Sequence, residues 1–284
     1  MMRPLLSILL FLGAGLASAQ VVATRDNGAI TIRGQLAGYK LNPDRSTRYI
    51  LTGTAGQPAM VTQKTEEGTT ELSATQTLDF TLKTGTDENG KKREYISVAK
   101  AEGGVRMTRT LTDPQSRGAT VMTGSRADYA GTVKAGTLDM AGPVEITRTD
   151  ETKNRKLLAK GSRGQAKLLP NDPKSPITVA TLVGNVTVDV DQAPYTDPET
   201  KKVEAGGQYK AAGDKMVYDL TGDLPKITLT DNVRLEGFTP GSKGNSTGIK
   251  SLVMTLTKKG ELSEAEAVGG PVETVVTQKK TGGK

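Results

Sequence analysis

The feature that most constrains this chain is a short element, two small or turn-forming residues followed by an apolar residue, that recurs along its length. The copies are Gly103-Gly104-Val105, Gly142-Pro143-Val144, Gly184-Asn185-Val186, Asp231-Asn232-Val233 and Gly270-Pro271-Val272, with a fainter copy at Pro58-Ala59-Met60-Val61. Successive valines are 44, 39, 42, 47 and 39 residues apart. Periods of this length are typical of repeat architectures.

Apolar and polar residues alternate around these copies, most clearly over 138–146, 186–190 and 227–235. Successive side chains of a β-strand point to opposite faces, so each run predicts a strand with one apolar face. The alternation places ten apolar side chains in one shared interior. They are Leu138, Met140, Val144, Ile146, Val186, Val188, Ile227, Leu229, Val233 and Leu235.

A second shared element, an apolar strand that often carries an aromatic residue, lies upstream of the valines. Its copies lie at 77–80, 127–129, 166–168, 214–219 and 250–254. One such unit has a single apolar face and cannot bury it alone, so neighbouring units must stack edge to edge. The sequence therefore predicts an all-β fold with apolar faces inward, in two facing sheets or in one folded sheet.

The first nineteen residues have the organisation of a secretory signal peptide. Met1-Met2-Arg3 is basic, the run from Leu5 to Leu16 is apolar, and Ala17-Ser18-Ala19 matches a cleavage site. We expect cleavage before Gln20 and export, because the alternative, an uncleaved anchor, has fewer than the roughly 20 apolar residues that span a membrane. Removal of Arg3 changes the formal net charge from +7 to +6, and a basic exported protein favours anionic partners.

The composition argues against several classes of function. The chain has no cysteine and no histidine, which excludes disulfides, thiol nucleophiles, His/Cys zinc sites and Ser-His-Asp triads. Acidic turns containing Asp189, Asp191, Asp197 and Glu199 do not follow the ligand spacing of a calcium loop. Seven tyrosines, three phenylalanines and no tryptophan are too few for a nucleic-acid stacking platform. We therefore predict a protein that is not an enzyme, with no cofactor, no metal and no nucleic-acid partner.

The repeats continue without an obvious break from residue 20 to residue 277, in about five to six copies. Two stretches rich in proline, 169–176 and 192–199, resemble linkers, but we interpret them as long turns because the repeat continues on both sides. The basic segment 278–284 lacks apolar residues and is expected to be a disordered tail. The sequence thus predicts a single β-repeat domain after the signal peptide.

The paired elements resemble the LptA/OstA family of periplasmic lipopolysaccharide-transport proteins. The segment 212–222 followed by 227–235 carries the resemblance, a second copy lies at 125–129 with 138–146, and 177–190 is a partial one. The match is strongest over residues 120–240, and the first hundred residues match poorly. The mature chain would have 265 residues, since 284 minus 19 is 265, which is longer than a minimal member of the family.

The resemblance implies a twisted β-jellyroll, open like a folded sheet, whose apolar groove receives acyl chains. The ten inward residues would line that groove. It also implies a non-enzymatic periplasmic carrier or bridge that moves lipopolysaccharide, or a similar anionic glycolipid, toward the outer membrane. Its partners would be other proteins of the OstA fold, joined by edge-strand addition, or further copies of the chain in a homo-oligomer.

A structural β-repeat protein of the cell envelope, without lipid cargo, is the alternative. The sequence leaves open the identity of the lipid and which partner meets which end, because it contains no head-group motif.

Overall fold

The computed structural model describes most of the chain from Gln20 to Gln278. It leaves undescribed residues 1–19, 27–28, 65–67, 88–89, 112–117, 151–154, 169–176, 197–200, 202, 205, 240–241, 257–261, 270–272 and 279–284. The predicted signal peptide, the fifth copy of the valine element, the first proline-rich stretch and nearly all of the predicted tail lie outside the described residues. Gln278, the first residue of that tail, ends the last strand.

The described residues form β-strands joined by turns, which confirms the prediction of an all-β fold. The first nine strands are β1 (Gln20–Arg25), β2 (Ile30–Leu41), β3 (Thr47–Thr52), β4 (Ala59–Lys64), β5 (Gly68–Ala74), β6 (Thr77–Thr86), β7 (Lys92–Leu111), β8 (Gly118–Gly131) and β9 (Gly136–Asp150). The others are β10 (Arg155–Leu168), β11 (Ile177–Gln192), β12 (Tyr195–Thr196), β13 (Val203–Glu204), β14 (Gly207–Asp219), β15 (Lys226–Thr239), β16 (Ser242–Leu256), β17 (Leu262–Val268) and β18 (Glu273–Gln278).

Most strands belong to one sheet of many strands, whereas β12 and β13 form a small two-stranded sheet of their own. Strand β12 lies within the second proline-rich stretch, 192–199, which the sequence predicts only as a long turn. The chain divides into two compact units. The first unit consists of residues 1–112, 122–142 and 167–176, and the second of 113–121, 143–166 and 177–284.

The first unit begins as an antiparallel meander in which pairs of short strands act as one long strand. Strands β3 and β4 both run antiparallel to β2, β3 along its second half and β4 along its first. Strand β7 pairs with β6 through 92–102 and with β5 through 106–111. Each of these pairs, β3 with β4 and β5 with β6, is therefore a long strand interrupted by a corner. The poorly matching first hundred residues thus follow the same plan as later parts of the chain.

The second unit continues the same pattern. Strand β11 pairs with β14, β14 with β15, and β15 with β16, all antiparallel. Strands β17 and β18 both pair with β16, β17 along its second half and β18 along its first. Strand β17 ends at Val268 and β18 begins at Glu273, and the fifth valine element lies between them in residues that the structure does not describe.

Four of the recurring valine elements are corners within long strands, at 103–105, 142–144, 184–186 and 231–233. Left-handed backbone occurs there, at Gly103 (φ 75°), Gly104 (φ 54°), Gly142 (φ 83°), Gly184 (φ 82°), Asn185 (φ 48°), Asp231 (φ 60°) and Asn232 (φ 54°). Glycine, asparagine and aspartate are the residues that tolerate this conformation at least cost, which explains the composition of the element. The strand register shifts at the corners of β11 and β15.

The corners keep the buried face of each strand on the same side. In β7, β9, β11 and β15 the buried residues that flank the corner are four positions apart, so the alternation continues in phase. These pairs are Ala101 and Val105, Met140 and Val144, Leu182 and Val186, and Leu229 and Val233. In β8 and β10 the flanking buried residues are five positions apart, and in β14 they are three positions apart. These pairs are Met122 and Ala127, Ala159 and Gly164, and Gly213 and Met216.

Candidate functional site

The predicted interior residues are almost all buried. Nine of the ten are at most 8 % exposed, namely Leu138, Met140, Val144, Ile146, Val186, Val188, Ile227, Leu229 and Val233. The tenth, Leu235, is partly exposed. Leu138 and Met140 fall in the first unit and the other eight in the second.

The strand registers of the second unit assemble a continuous apolar row. Leu182 on β11 lies opposite Met216 on β14, which lies opposite Leu229 on β15, which lies opposite Leu252 on β16. The four side chains are 0 to 4 % exposed. Three strand spacings of about 4.8 Å give this row a length of about 14 Å. Of these four residues, only Leu229 is among the ten predicted ones, while Met216 and Leu252 lie in copies of the second shared element, at 214–219 and 250–254.

A parallel row lies two residues further along each strand. It joins Ala180, Tyr218, Ile227 and Met254 through the same registers. Ala180 and Ile227 are buried, whereas Tyr218 and Met254 are partly exposed. The apolar face therefore opens to solvent toward these strand ends.

One hydrogen bond crosses this open part of the face. Arg148 Nη1 donates to Tyr218 Oη at 2.9 Å, although the two residues are 70 positions apart in the sequence. Both residues belong to the second unit.

The interior of the first unit contains aromatic rings. Tyr49 stacks on Phe80 with ring centroids 5.3 Å apart, and Tyr39 meets Tyr49 edge to face at 5.4 Å. Tyr49 and Phe80 are 4 % and 1 % exposed, whereas Tyr39 is 48 % exposed. The aromatic stack thus runs from a buried core to the surface at β2.

An ion pair joins two strands of the same unit. Arg25 donates two hydrogen bonds to the Glu94 carboxylate, with Nε 3.1 Å from Oε2 and Nη2 bonded to Oε1. Hydrogen bonding to Glu94 raises the pKa of Arg25, although partial burial opposes the rise. This bidentate pair joins β1 to β7 over a separation of 69 residues.

Polar side chains from neighbouring strands, and from the bend between β5 and β6, bind to the corners. Thr75 Oγ1 donates to the Gly103 carbonyl at 2.6 Å, Ser125 Oγ to the Ala141 carbonyl at 3.0 Å, and Ser162 Oγ to the Gly184 carbonyl at 3.2 Å. At the corner of β15, Asn232 Nδ2 donates to Asp214 Oδ2 at 2.7 Å. These partners precede their corners by 16 to 28 residues, so no local pattern in the sequence predicted the pairings.

A small cavity of about 20 Å³ in the first unit is lined by Glu94, Tyr95, Tyr129 and Thr132, among others. This volume holds about one water molecule and no acyl chain. The Tyr129 hydroxyl lies against Gly131 and Gly136, where an added Cβ would come within 2.1 and 2.7 Å of it. Burial raises the pKa of Tyr129 to about 12, and the neighbouring Tyr95 phenol adds to the rise.

The described acidic residues do not converge on a metal site. No group of three or more histidine, cysteine, aspartate or glutamate side chains could hold a metal ion in the described part of the chain. Asp189 and Asp191 lie on β11, while Asp197 and Glu199 lie outside the described residues. The described segments also contain no helix long and apolar enough to span a membrane.

The last strands offer an edge for association. Among the described strands, β17 and β18 pair only with β16. Residues 264–269 are exposed, including Val268 at 48 %. Along this edge the backbone groups that face away from β16 have no described strand as a partner.

Comparison with known proteins found no match among protein-family models, curated proteins or solved structures.

Proposed function

We propose that the protein is a non-enzymatic carrier or bridge for an anionic glycolipid of the lipopolysaccharide class, acting in the periplasm after export. In this proposal the folded sheet is a jellyroll of the OstA type, and acyl chains lie against the apolar face of the second unit. The eight sequence-predicted residues of the second unit would contribute to that surface together with Leu182, Met216 and Leu252.

The observation that carries the proposal is the continuous apolar row across β11, β14, β15 and β16. Leucine and methionine side chains lie in register on neighbouring strands, and the next row is partly exposed at Tyr218 and Met254. An aliphatic surface that is buried at its centre and open at its margin suits a flexible hydrocarbon chain.

Edge-strand addition is the second part of the proposal. Strands β17 and β18 pair with β16 on one side only within the described chain. A partner strand would satisfy the backbone groups on the other side, which is the usual mode of β-augmentation. We expect the partner to be another protein of this fold or a second copy of the chain. Concentration-dependent oligomers in analytical ultracentrifugation would support this arrangement, and a strict monomer that binds no envelope partner would exclude it.

A structural β-repeat protein without lipid cargo is a second candidate, and one observation favours it. Nine of the ten predicted groove residues are at most 8 % exposed, as expected of a dry, fully packed core. The two candidates differ in what happens when acyl chains are supplied.

The chain contains no tryptophan, so a single introduced tryptophan is a clean fluorescent probe. Met254→Trp places the probe on the inward, partly exposed row, and Val253→Trp places it on the opposite face of the same strand. We expect a phospholipid with brominated acyl chains to quench the Met254→Trp emission and to leave the Val253→Trp emission nearly unchanged.

Equal quenching of both probes, or quenching of neither, would contradict the carrier and support the structural candidate. Native mass spectrometry of protein extracted from its own host gives an independent measurement. A bound lipid of defined mass is the expected result.

A further inference from the structure

Arg148 projects from the apolar face of the second unit. Val144 and Ile146 on β9 are 1 % and 8 % exposed, and Arg148 follows two positions later on the same face of the strand. Arg148 itself is exposed. A guanidinium therefore lies where the buried apolar surface meets solvent.

Tyr218 comes to the same place from a different strand. Its register partners, Ala180 and Ile227, are 4 % and 5 % exposed, so its ring lies at the margin of the apolar rows. In the strand order of this unit, β10 and β11 separate β9 from β14. The 2.9 Å contact between Arg148 and Tyr218 therefore joins side chains of strands that are not neighbours in the sheet.

The partner of Arg148 is a neutral hydroxyl, whereas four other arginines bond carboxylates, namely Arg25, Arg48, Arg93 and Arg126. Arg109 also donates to a neutral hydroxyl, that of Thr70, but Arg109 is 4 % exposed. Arg148, by contrast, is exposed and can meet a ligand from solvent. A guanidinium has five N–H donors in a planar fork, so one bond to Tyr218 leaves donors and a full positive charge for a ligand.

We propose that Arg148 and Tyr218 form a binding site for the phosphate group of an anionic amphiphile whose hydrocarbon chain lies on the adjacent apolar rows. This assignment rests on the proposed lipid-carrier function and names the head-group site within it. Phosphate matches the arginine fork through charge-assisted, bidentate hydrogen bonds. Tyr218 positions the guanidinium and supplies an O–H donor of its own.

The test compares two soluble amphiphiles with the same chain, dodecyl phosphate and dodecyl maltoside, with inorganic phosphate as the third ligand. Affinities are measured by isothermal titration calorimetry on the intact protein and on Arg148→Gln. Arg234→Gln is the matched control, because Arg234 is an exposed arginine that follows inward-facing Val233 on β15. Unchanged thermal melting checks the fold of each variant.

We expect Arg148→Gln to weaken dodecyl phosphate binding about tenfold and to leave dodecyl maltoside binding unchanged, as for loss of one hydrogen bond between charged groups. Arg234→Gln should change neither affinity. Tyr218→Phe should weaken dodecyl phosphate by a smaller factor, about threefold, since the charge remains.

The other outcomes each overturn a separate claim. Equal affinity of dodecyl phosphate for the wild type and Arg148→Gln removes the head-group site and leaves the carrier. Inorganic phosphate that binds as tightly as dodecyl phosphate, and is lost in Arg148→Gln, shows a simple anion site unconnected to a lipid. Failure of both dodecyl amphiphiles to bind the wild type removes the carrier function together with this site.

Discussion

The two units bury their apolar residues by different means. In the first unit Tyr49 and Phe80 stack in the core, and the Arg25–Glu94 ion pair joins β1 to β7. In the second unit the central row is aliphatic, with Leu229 and Met216 at its middle. Both ring-to-ring contacts found among the described residues lie in the first unit.

This difference affects how each interior responds to a guest molecule. Stacked rings and a bidentate ion pair have specific geometries and lose contacts when they move apart. Leucine and methionine change rotamer more easily, and methionine in particular fills irregular spaces. The second unit is thus the better candidate for binding acyl chains of variable length, and the first for a fixed structural role.

The largest expected effect is that of a charge placed in the aliphatic interior. Val186 is 1 % exposed and follows the corner of β11. Val186→Asp should destabilise the protein by several kcal/mol, because an unpaired buried carboxylate loses its hydration. Thr187→Asp, on the exposed face one residue later, is the control and should cost less than about 0.5 kcal/mol. Urea unfolding measures both, and equal midpoints for the two variants would show that Val186 is not interior.

The second prediction compares the two interiors directly. Phe80→Ala should cost about 3 to 5 kcal/mol, since it leaves a cavity and removes the stacking partner of Tyr49. Leu229→Ala should cost less, about 2 to 3 kcal/mol, because neighbouring aliphatic side chains relax into the space. Urea unfolding measures both variants. A larger loss of stability for Leu229→Ala than for Phe80→Ala would contradict the proposed contrast between a rigid first interior and an adaptable second one.

The third prediction concerns pH and the first unit. Burial raises the pKa of Tyr129 to about 12, above its ordinary value of 10.0, so the folded protein keeps the phenol protonated where the unfolded chain loses the proton. The stability that the protonated phenol gives the folded state is complete below pH 10 and is lost as pH rises toward 12. The free energy of unfolding should fall by roughly 2 to 3 kcal/mol in total over this range.

Tyr129→Phe should flatten the dependence of the free energy of unfolding on pH between 10 and 12. Tyr39→Phe is the control, because the Tyr39 ring is 48 % exposed. The same slope in wild type and Tyr129→Phe would show that Tyr129 is ionised as easily in the folded state as in the unfolded one.

The smallest effect should come from the corners. Ser162→Ala removes the hydrogen bond to the Gly184 carbonyl and should cost about 0.5 to 1 kcal/mol, because the exposed carbonyl regains water. Thr75→Val removes the shorter bond to Gly103, which is partly buried, and should cost more. Thermal melting measures both variants. A larger loss of stability for Ser162→Ala than for Thr75→Val would contradict the idea that a corner hydroxyl stabilises more when it is buried.

Much of the fold could be predicted from local sequence. The alternation identified strands, and the valine element identified positions that the structure makes corners. Val105, Val144, Val186 and Val233 are each 1 % exposed. Left-handed backbone is a local requirement that glycine, asparagine and aspartate meet, so a single sequence can indicate where it occurs.

Other features escaped the sequence because they break the period or join distant residues. The corner of β14 changes the phase of the alternation between Gly213 and Met216, so the sequence did not predict the row to which Met216 belongs. In the first unit, β3 with β4 and β5 with β6 are interrupted strands, so no single run of alternation marked them.

The sequence by itself determined the strand character, the inward face of most predicted residues and the positions of the corners at the four described valine elements, because each depends on residues within a few positions of one another. Only the tertiary structure decided that Arg148 meets Tyr218 and that Arg25 meets Glu94. Those contacts depend on strand order and register across about 70 residues of intervening chain, so no local pattern of side chains predicts them.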